Sequence, residues 1–371
     1  MNNLNTVNER IVVDHAGGAQ LITAVPKNKF LIRGEPGIGK TALAYAVAEN
    51  LGYELVILDV AEMMIGDAYM PIPNHERGTV SFYPNEIFRT AEGKPCVYLL
   101  DEYLKGSIDV QRALHPMLEP ERPRIGNTLL PEGSVVILTS NLDDDNVGDS
   151  ILSHTQMRLT ELELMKPRAR NPETQEPEWL AWAHANGCHP VILAVVNRYP
   201  DWLASYRDAN QENNPVIFNP ARADQGPVVC PRTLMAASNI LHAMHLLSDN
   251  ELRAGLAGVI GLSAADTVMT YIKYQSQLPR MKDIYDNPMT AKIPENETCL
   301  IVLVFQGLAE CVTADQMHKF SDYLRRTDDE LENMFWLYVS RDTSKQSQVY
   351  ACGAYTRWCR ENSQYIPSHG A

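Results

Sequence analysis

The sequence predicts an α/β fold in which a parallel sheet occupies the first part of the chain and helices form the rest. Within the first 165 residues, short β-branched or aliphatic runs alternate with helical stretches. Such alternation is typical of crossover units, whose strands are parallel and buried on both faces. A glycine-rich loop joins the first of these runs to a helix, and this second observation favours the same class.

Five runs have the composition of buried strands. They occupy residues 30–32, 55–58, 97–100, 135–138 and 159–164. The chain then turns polar over residues 166–177, which contain three prolines. Because proline interrupts regular structure, this change predicts a domain boundary. We therefore expect a sheet-containing core over residues 1–166.

The remaining chain has the pattern of helices. Apolar residues recur at helical spacing over residues 234–244, and three sequences that begin at Ser248, Thr313 and Thr327 resemble capping boxes. Prolines between residues 279 and 294 interrupt the pattern again. We predict one helical domain over residues 167–290 and a helical C-terminal extension over residues 291–371.

Length and charge narrow the class of protein. The 371 residues include 46 acidic and 32 basic side chains, a net charge of −14, which disfavours a generally basic surface for nucleic acid or anionic lipid. No apolar run approaches the roughly 20 residues of a membrane helix, and the N-terminus lacks the apolar stretch of a secretory signal. Seven cysteines are scattered without a C-x-x-C pair. We expect a cytoplasmic protein with reduced thiols.

A phosphate-binding loop is predicted between the first strand and the helix that follows it. Its glycines allow the backbone to curl, so that successive N–H groups point at a phosphate beside the positive end of the helix. Lys40 adds a positive charge for the β- and γ-phosphates, and the hydroxyl of Thr41 is a ligand for Mg²⁺. The predicted loop residues are Gly34, Glu35, Pro36, Gly37, Ile38, Gly39, Lys40 and Thr41.

Two further strands end in polar residues that suit the same site. Asp101 and Glu102 follow the buried run 97–100, at the strand end where ligands bind in such sheets. Asp101 is predicted to hold Mg²⁺, and Glu102 to orient and polarise an attacking water. Asn141 ends a third strand, and its amide can hydrogen-bond the γ-phosphate or the water without repelling either. The alternatives are that Asp101 and Glu102 are simply solvated acids at a strand end, and that Asn141 is an ordinary turn residue.

Two other polar clusters are interpreted as structural. The acidic residues at positions 143–145 are expected in a solvated loop, since Thr41 and Asp101 already supply protein ligands for a metal ion. His184, Cys188 and His189 resemble metal ligands. No fourth ligand lies at a suitable spacing, so we expect a turn there and no metal site.

The loop, the acidic pair and Asn141 resemble, in this order and spacing, the Walker A, Walker B and sensor 1 elements of the AAA+ ATPases. Further sequences resemble the MoxR group of that family, at residues 82–88, 111–114, 118–119, 124–126 and 130–133. The run Pro231-Arg232-Thr233 resembles its sensor 2. The resemblance is strong over residues 25–165 and extends to about residue 290.

The resemblance implies a P-loop AAA+ core, an α-helical lid over residues 167–290, and a ring, usually of six subunits, with ATP and Mg²⁺ between neighbours. Arg158 would be the arginine finger of the next subunit's site, and Arg232 would act within its own subunit. Both would stabilise charge as the γ-phosphoryl group leaves. The alternatives are that Arg158 pairs with a local acid such as Glu161, and that Arg232 is an ordinary residue at a helix start.

Residues 63–83 look like the family's insertion in the second core helix. In a ring this insertion would project near the central opening, where Tyr69 and Met70 could touch a partner or a substrate. A surface loop with no contact role is the alternative.

The favoured function is ATP hydrolysis that remodels or activates a protein partner, in the chaperone-like manner attributed to MoxR proteins. By the resemblance, that partner is often a protein with a von Willebrand factor A domain. A DNA-associated motor or loader is the alternative from another class, and the acidic balance disfavours it. A nucleotide-gated binding module that hydrolyses little is a third.

Overall fold

The computed structural model of the protein describes residues 11–142, 153–171, 176–222 and 225–362. The chain divides between Lys166 and Pro167 into two units. The strands of the described residues all lie in the first unit: β1 (Ile11–Val13), β2 (Lys29–Arg33), β3 (Glu54–Asp59), β4 (Tyr69–Asn74), β5 (Thr79–Pro84), β6 (Cys96–Asp101), β7 (Arg124–Ile125), β8 (Thr128–Leu129), β9 (Val135–Ser140) and β10 (Leu159–Leu164).

Six of these strands form one parallel sheet in the order β1-β10-β2-β9-β6-β3. The five predicted strands are all present, and the predicted class, a parallel sheet followed by helices, is confirmed. The edge strand β1 was not predicted. This strand has only the three residues Ile11–Val13 and pairs on one side, with β10.

The sheet of the first unit is covered on both faces. Its helices are α1 (His15–Ala24), α2 (Lys40–Leu51), α3 (Ile65–Ala68), α4 (Ile108–Leu114) and α5 (Ser153–Gln156). Successive residues of β2 point to opposite faces, so Leu31 packs in one apolar cluster and Phe30 and Ile32 pack in another. Two buried faces explain why the central strands read as continuous apolar runs.

The second unit is helical in its described residues. Its helices are α6 (Trp179–Ala185), α7 (Pro190–Arg198), α8 (Pro231–His242), α9 (Asp249–Ile260), α10 (Leu262–Gln275), α11 (Met281–Asp286), α12 (Glu297–Glu310), α13 (Ala314–Leu324), α14 (Asp329–Val339), α15 (Gln346–Ala351) and α16 (Gly353–Glu361). Helices on both sides of residue 290 share one apolar core. None of the helices in the described part of the chain is long and apolar enough to cross a membrane.

The capping boxes were predicted with mixed success. Ser248 and Thr313 cap α9 and α13 as expected. The third box is wrong, because α14 is capped by Asp328, whose carboxylate accepts a hydrogen bond from the backbone N–H of Glu330. Asp328 follows Thr327 directly, and aspartate is at least as good an N-cap as threonine. The helix therefore begins one residue later than the pattern indicates.

Replacing Gly307 of α12 with alanine is expected to destabilise the second unit. A Cβ at this position would lie 2.2 Å from Cε1 of Phe320. That ring is fully buried and packs against Phe335 with 5.1 Å between ring centroids, so it has no room to move away. Overpacking of this kind lowers the free energy of unfolding by about 1–3 kcal/mol.

The matched control is Gly258→Ala in α9, where a Cβ would meet nothing within 4 Å. Alanine there should raise the free energy of unfolding by about 0.5–1 kcal/mol. Urea unfolding followed by tryptophan fluorescence measures both variants, and it reports the second unit because all five tryptophans follow residue 166. Equal stabilities of the two variants would contradict the packing argument.

Candidate nucleotide-binding site

Three neighbouring strands bring the predicted site residues to one edge of the sheet. β2, β9 and β6 are parallel and adjacent, so their carboxyl ends lie side by side. Gly34 follows β2, Asn141 follows β9, and β6 ends at Asp101. The sheet therefore assembles residues that are more than 100 positions apart in the chain, such as Lys40 and Asn141.

The loop before α2 has a backbone that requires glycine at several positions. Gly37 and Gly39 have φ angles of 73° and 104°, in the left-handed region that other residues rarely adopt. A Cβ at Gly34 would lie 2.5 Å from Cδ1 of Ile38 and 3.2 Å from the carbonyl oxygen of Leu164. The glycines thus allow the chain to turn tightly between β2 and α2. This is the curled geometry that the motif predicts.

Lys40 connects the loop to the end of β9. Its Nζ donates hydrogen bonds to the carbonyl oxygens of Gly34 at 2.8 Å and Glu35 at 3.1 Å, and to Oδ1 of Asn141 at 2.9 Å. The ammonium group of a lysine has three N–H donors. Oxygen atoms of a phosphate can replace some of these acceptors. Lys40 and Asn141, predicted separately, therefore lie in one site.

The acidic pair is held by Thr139, a fully buried residue of β9. Its hydroxyl donates a hydrogen bond to Oδ1 of Asp101 and accepts one from the backbone N–H of Glu102 at 3.0 Å. Glu102 itself has a φ of 50°, which is uncommon for a residue with a side chain. Sequence analysis assigned no role to Thr139. The available signal was its polar side chain on an apolar strand, two residues before Asn141.

The side chain of Glu102 forms an ion pair with Lys105, with Nζ 2.7 Å from Oε2. Both side chains are partly exposed, at 39% and 34%, so the pair is screened by solvent and weak. It can therefore open at little cost. This partner was also not predicted.

The donors near the loop fit magnesium. Thr41 and Asp101 offer a hydroxyl and a carboxylate, and Mg²⁺ prefers oxygen ligands with few protein groups and several phosphate or water oxygens. Within the described residues, no group of three or more His, Cys, Asp or Glu side chains could hold a metal ion. A Mg²⁺ ion held by Thr41 and Asp101 would complete its coordination with phosphate or water oxygens.

His15 packs against the loop, although sequence analysis did not single it out. Its Nε2 lies 3.0 Å from the position that a Cβ on Gly39 would take. Burial lowers the pKa of His15, while hydrogen bonds to the backbone of Gly39 and Ile38 act in the opposite direction. A side chain at position 39 would therefore require a shift of His15, in addition to the unfavourable φ of 104°.

The two predicted arginines are both exposed. Arg158 follows α5, and its backbone N–H donates to the carbonyl of Thr155 at 3.0 Å. The local pairing of Arg158 with Glu161 is not observed, and Glu161 forms an ion pair with the buried Arg33. Arg232 is the second residue of α8 in the second unit. Neither arginine forms an ion pair within the described part of the chain.

The side chains of His184, Cys188 and His189 are buried around the turn between α6 and α7. Nδ1 of His189 accepts a hydrogen bond from the backbone N–H of Val191 at 3.2 Å and caps α7. Burial lowers the pKa of His184 and of His189 to about 4 each, with Lys345 adding to the effect at His184 and His242 at His189. Positions 143–145 lie outside the described residues.

The insertion at residues 63–83 is a short helix, α3, and an antiparallel hairpin of β4 and β5. Its two expected contact residues differ. Tyr69 is half-buried and packs its ring against Phe82 with 5.3 Å between centroids, whereas Met70 is exposed. The hairpin is anchored at Phe82, whose backbone N–H and carbonyl both hydrogen-bond Asn127.

Comparisons with known proteins agree with this site. Residues 30–159 match the model of the ATPase family associated with various cellular activities (AAA). The Lon protease of Leptospira interrogans serogroup Icterohaemorrhagiae serovar copenhageni (strain Fiocruz L1-130) is 34% identical over 100 residues, which are 25% of this chain and 12% of that protein. The chaperone protein ClpB 2 of Thermosynechococcus vestitus (strain NIES-2133 / IAM M-273 / BP-1) is 32% identical over 133 residues, or 34% of this chain and 15% of that protein.

The chain thus spans 12% and 15% of the length of these two relatives. Among solved structures, the Thermotoga maritima RuvB Holliday junction branch migration motor aligns over 74% of this chain and 75% of its own, with 13% identity and a TM-score of 0.33. A likeness of that size carries no weight in the assignment. The family match contains the loop, from Gly34 to Thr41, together with the acidic pair and Asn141. Over residues 30–159, the first unit of the chain is therefore similar to the AAA family of ATPases.

Proposed function

We propose that the chain binds ATP with Mg²⁺ at the loop before α2 and uses its hydrolysis to remodel or activate a protein partner. The observation that carries the proposal is that the residues of the candidate site lie at one edge of the sheet. Lys40 hydrogen-bonds Asn141 there, and Thr139 hydrogen-bonds both residues of the acidic pair. These groups include a cation for phosphate, a neutral amide and two carboxylates. Together they suit phosphoryl transfer to water, in which positioning and charge stabilisation provide most of the catalysis.

In this proposal, the backbone of residues 34–41 and the ammonium of Lys40 grip the phosphates. Lys40 exchanges its bonds to the Gly34 and Glu35 carbonyls for phosphate oxygens and so moves a short distance only. Thr41 and Asp101 hold Mg²⁺, Asp101 through water. When bound, Mg²⁺ supplies Lewis-acid stabilisation of phosphate charge.

Glu102 orients and polarises the attacking water, and Asn141 contacts the γ-phosphate or that water. The carboxylate of Glu102 must first leave Lys105, which its exposed and screened position permits. Thr139 acts as a positioning residue, since it fixes both the Asp101 carboxylate and the Glu102 backbone. A neutral Asn141 adds a hydrogen bond without repelling the phosphate.

We infer a ring of this chain, of the MoxR type and built of six subunits in the family's manner, from the sequence motifs and from Arg158. Arg158 is exposed and has no acidic partner within the described residues, which leaves it able to reach a neighbouring subunit's γ-phosphate. Arg232 acts within its own subunit from the start of the lid. The lid over residues 167–290 and the extension after it remain proposals.

The partner is a protein, and the hairpin β4–β5 is the element that contacts it. Ile72 and Val80 are about half exposed, at 51% and 53%, and they stand on opposite faces of the hairpin. The paired strand segments, residues 69–74 and 79–84, contain no charged side chain. An uncharged apolar element suits segments of unfolded polypeptide better than a phosphate backbone. A von Willebrand factor A domain protein is the partner that the MoxR resemblance suggests.

Replacing Thr139 with valine is expected to lower kcat by about 10- to 100-fold while KM for ATP changes little, because small displacements of catalytic groups are costly. Valine keeps the volume and removes both hydrogen bonds to the acidic pair. The control is Ser140→Ala, since the Ser140 hydroxyl donates to the carbonyl of Asn141 at 3.1 Å and to neither acid. Steady-state phosphate release measures both. A wild-type kcat in a folded Thr139→Val protein would refute the positioning role.

Mixing two inactive variants tests catalysis between subunits. Arg158→Ala should keep nucleotide affinity and lose turnover, and Lys40→Ala should lose nucleotide binding. In mixed rings, an intact site can face an intact Arg158 of its neighbour, so part of the activity should return. Phosphate release is measured against mixing ratio, and electron microscopy of Glu102→Gln with ATP counts the subunits. Mixtures that stay as inactive as the separate variants would contradict a shared site.

A protein partner and a DNA partner are separated by what stimulates hydrolysis. A permanently unfolded polypeptide should raise ATP turnover, and Ile72→Ser/Val80→Ser should abolish this increase while basal turnover stays unchanged. Leu246→Ser/Leu262→Ser is the control, since both leucines are exposed in the second unit. Stimulation by duplex DNA that disappears at physiological salt, without stimulation by polypeptide, would favour the motor instead.

A further inference from the structure

We propose that Lys166 is a positioning residue for nucleotide binding. Its ammonium group neutralises the carboxylate of Glu35, a residue of the phosphate-binding loop. Nζ of Lys166 lies 3.4 Å from Oε2 of Glu35, and the two side chains are only 3% and 5% exposed. Lys166 is the last residue of the first unit. This role rests on the proposed binding of ATP by the loop, and no motif indicates it.

Glu35 has two different contacts with cations of the site. Its main-chain carbonyl accepts a hydrogen bond from Nζ of Lys40 at 3.1 Å, and its carboxylate faces Lys166. The loop segment 34–41 contains one acid and one base, so its formal charge is zero. When Lys166 is included, the formal charge of the loop and its contact becomes +1. A loop that must bind a highly charged anion therefore depends on a lysine from a distant part of the sequence.

Burial makes this neutralisation important. A carboxylate at a nearly dry position is screened little by water, so its field reaches nearby groups with greater strength than at the surface. Without Lys166, the negative charge of Glu35 would oppose the phosphates and compete for Lys40. Removal of Lys166 would also take away an attraction that offsets part of the cost of burying the Glu35 carboxylate, which favours a change of loop conformation.

The chain is packed so that Lys166 reaches this point. β10 is parallel to β2, and the carbonyl oxygen of Leu164 lies 3.2 Å from where a Cβ of Gly34 would be. The backbone N–H of Met165 donates to the carbonyl of Val13 at 2.8 Å. Residues 164–166 are thus fixed beside the first residues of the loop, immediately before the second unit begins at Pro167.

The test measures binding of ADP with Mg²⁺ by calorimetry to the full chain. Lys166→Met should raise the Kd by about tenfold, and Lys166→Arg should stay within about threefold of wild type. The double variant Glu35→Gln/Lys166→Met should recover most of the loss, because the opposing charge is gone. The control is Lys29→Met, the same substitution at a buried lysine at the other end of β2. Its Kd should match wild type.

Glu35→Gln alone keeps Lys166 and should bind ADP at least as tightly as wild type. This variant also tests the idea if Lys166→Met does not fold. A wild-type Kd in a folded Lys166→Met protein, a double variant as weak as Lys166→Met, or weaker binding by Glu35→Gln would each overturn the proposal. If the wild-type chain binds no ADP, the proposed nucleotide site is wrong as well. If the wild-type chain binds ADP and Lys166→Met has the same Kd, only the proposed role of Lys166 is wrong.

Discussion

The parallel pairing of β2, β9 and β6 is the constraint on which the site depends. Because these strands run in one direction, their carboxyl ends deliver the loop, Asn141 and the acidic pair to the same edge. Their cores are apolar on both faces, so a shift of register would bury polar groups without partners. Thr139 is a fully buried polar residue within this core, and its hydroxyl is satisfied by the two acidic residues. The requirement that a buried polar group be hydrogen-bonded thus also orders the Asp101 carboxylate and the Glu102 backbone of the candidate site.

Much of this fold could be predicted because central parallel strands have a simple signature. They are buried on both faces, and the resulting apolar runs stand out between helices. The edges and additions were harder to predict. β1 has three residues only, and β4 contains Pro71 and Pro73, which favour a loop in a local pattern but are tolerated where a strand has a free edge. Residues 63–83 therefore form a hairpin where the sequence indicated only an insertion.

The site was predictable in part for a related reason. The loop, which includes Lys40, is a contiguous motif with its own backbone requirements, and Asn141 follows directly from the end of a strand. Thr139, Lys105, His15 and Lys166 were not given roles. Their partners are fixed by packing: Thr139 meets Asp101 across 38 residues of sequence, and Lys166 meets a loop at the other end of the same unit. Spacing in one sequence cannot reveal such pairs, because each residue has a plausible solvent-exposed or core role on its own.

The basic side chains near the site differ in whether they pair with acids, in a chain whose net charge is −14. Arg33 and Lys166 are buried. Arg33 pairs with Glu161 and Lys166 pairs with Glu35, and these ion pairs connect the strands and the loop around the site. Arg158 lies three residues before Glu161 and remains exposed, since that acid is already occupied by Arg33. An arginine that serves a neighbouring subunit has to avoid local pairing, because a satisfied guanidinium gains little by moving to a phosphate. The ion pair of Arg33 with Glu161 is therefore consistent with the proposal that Arg158 serves a neighbouring subunit.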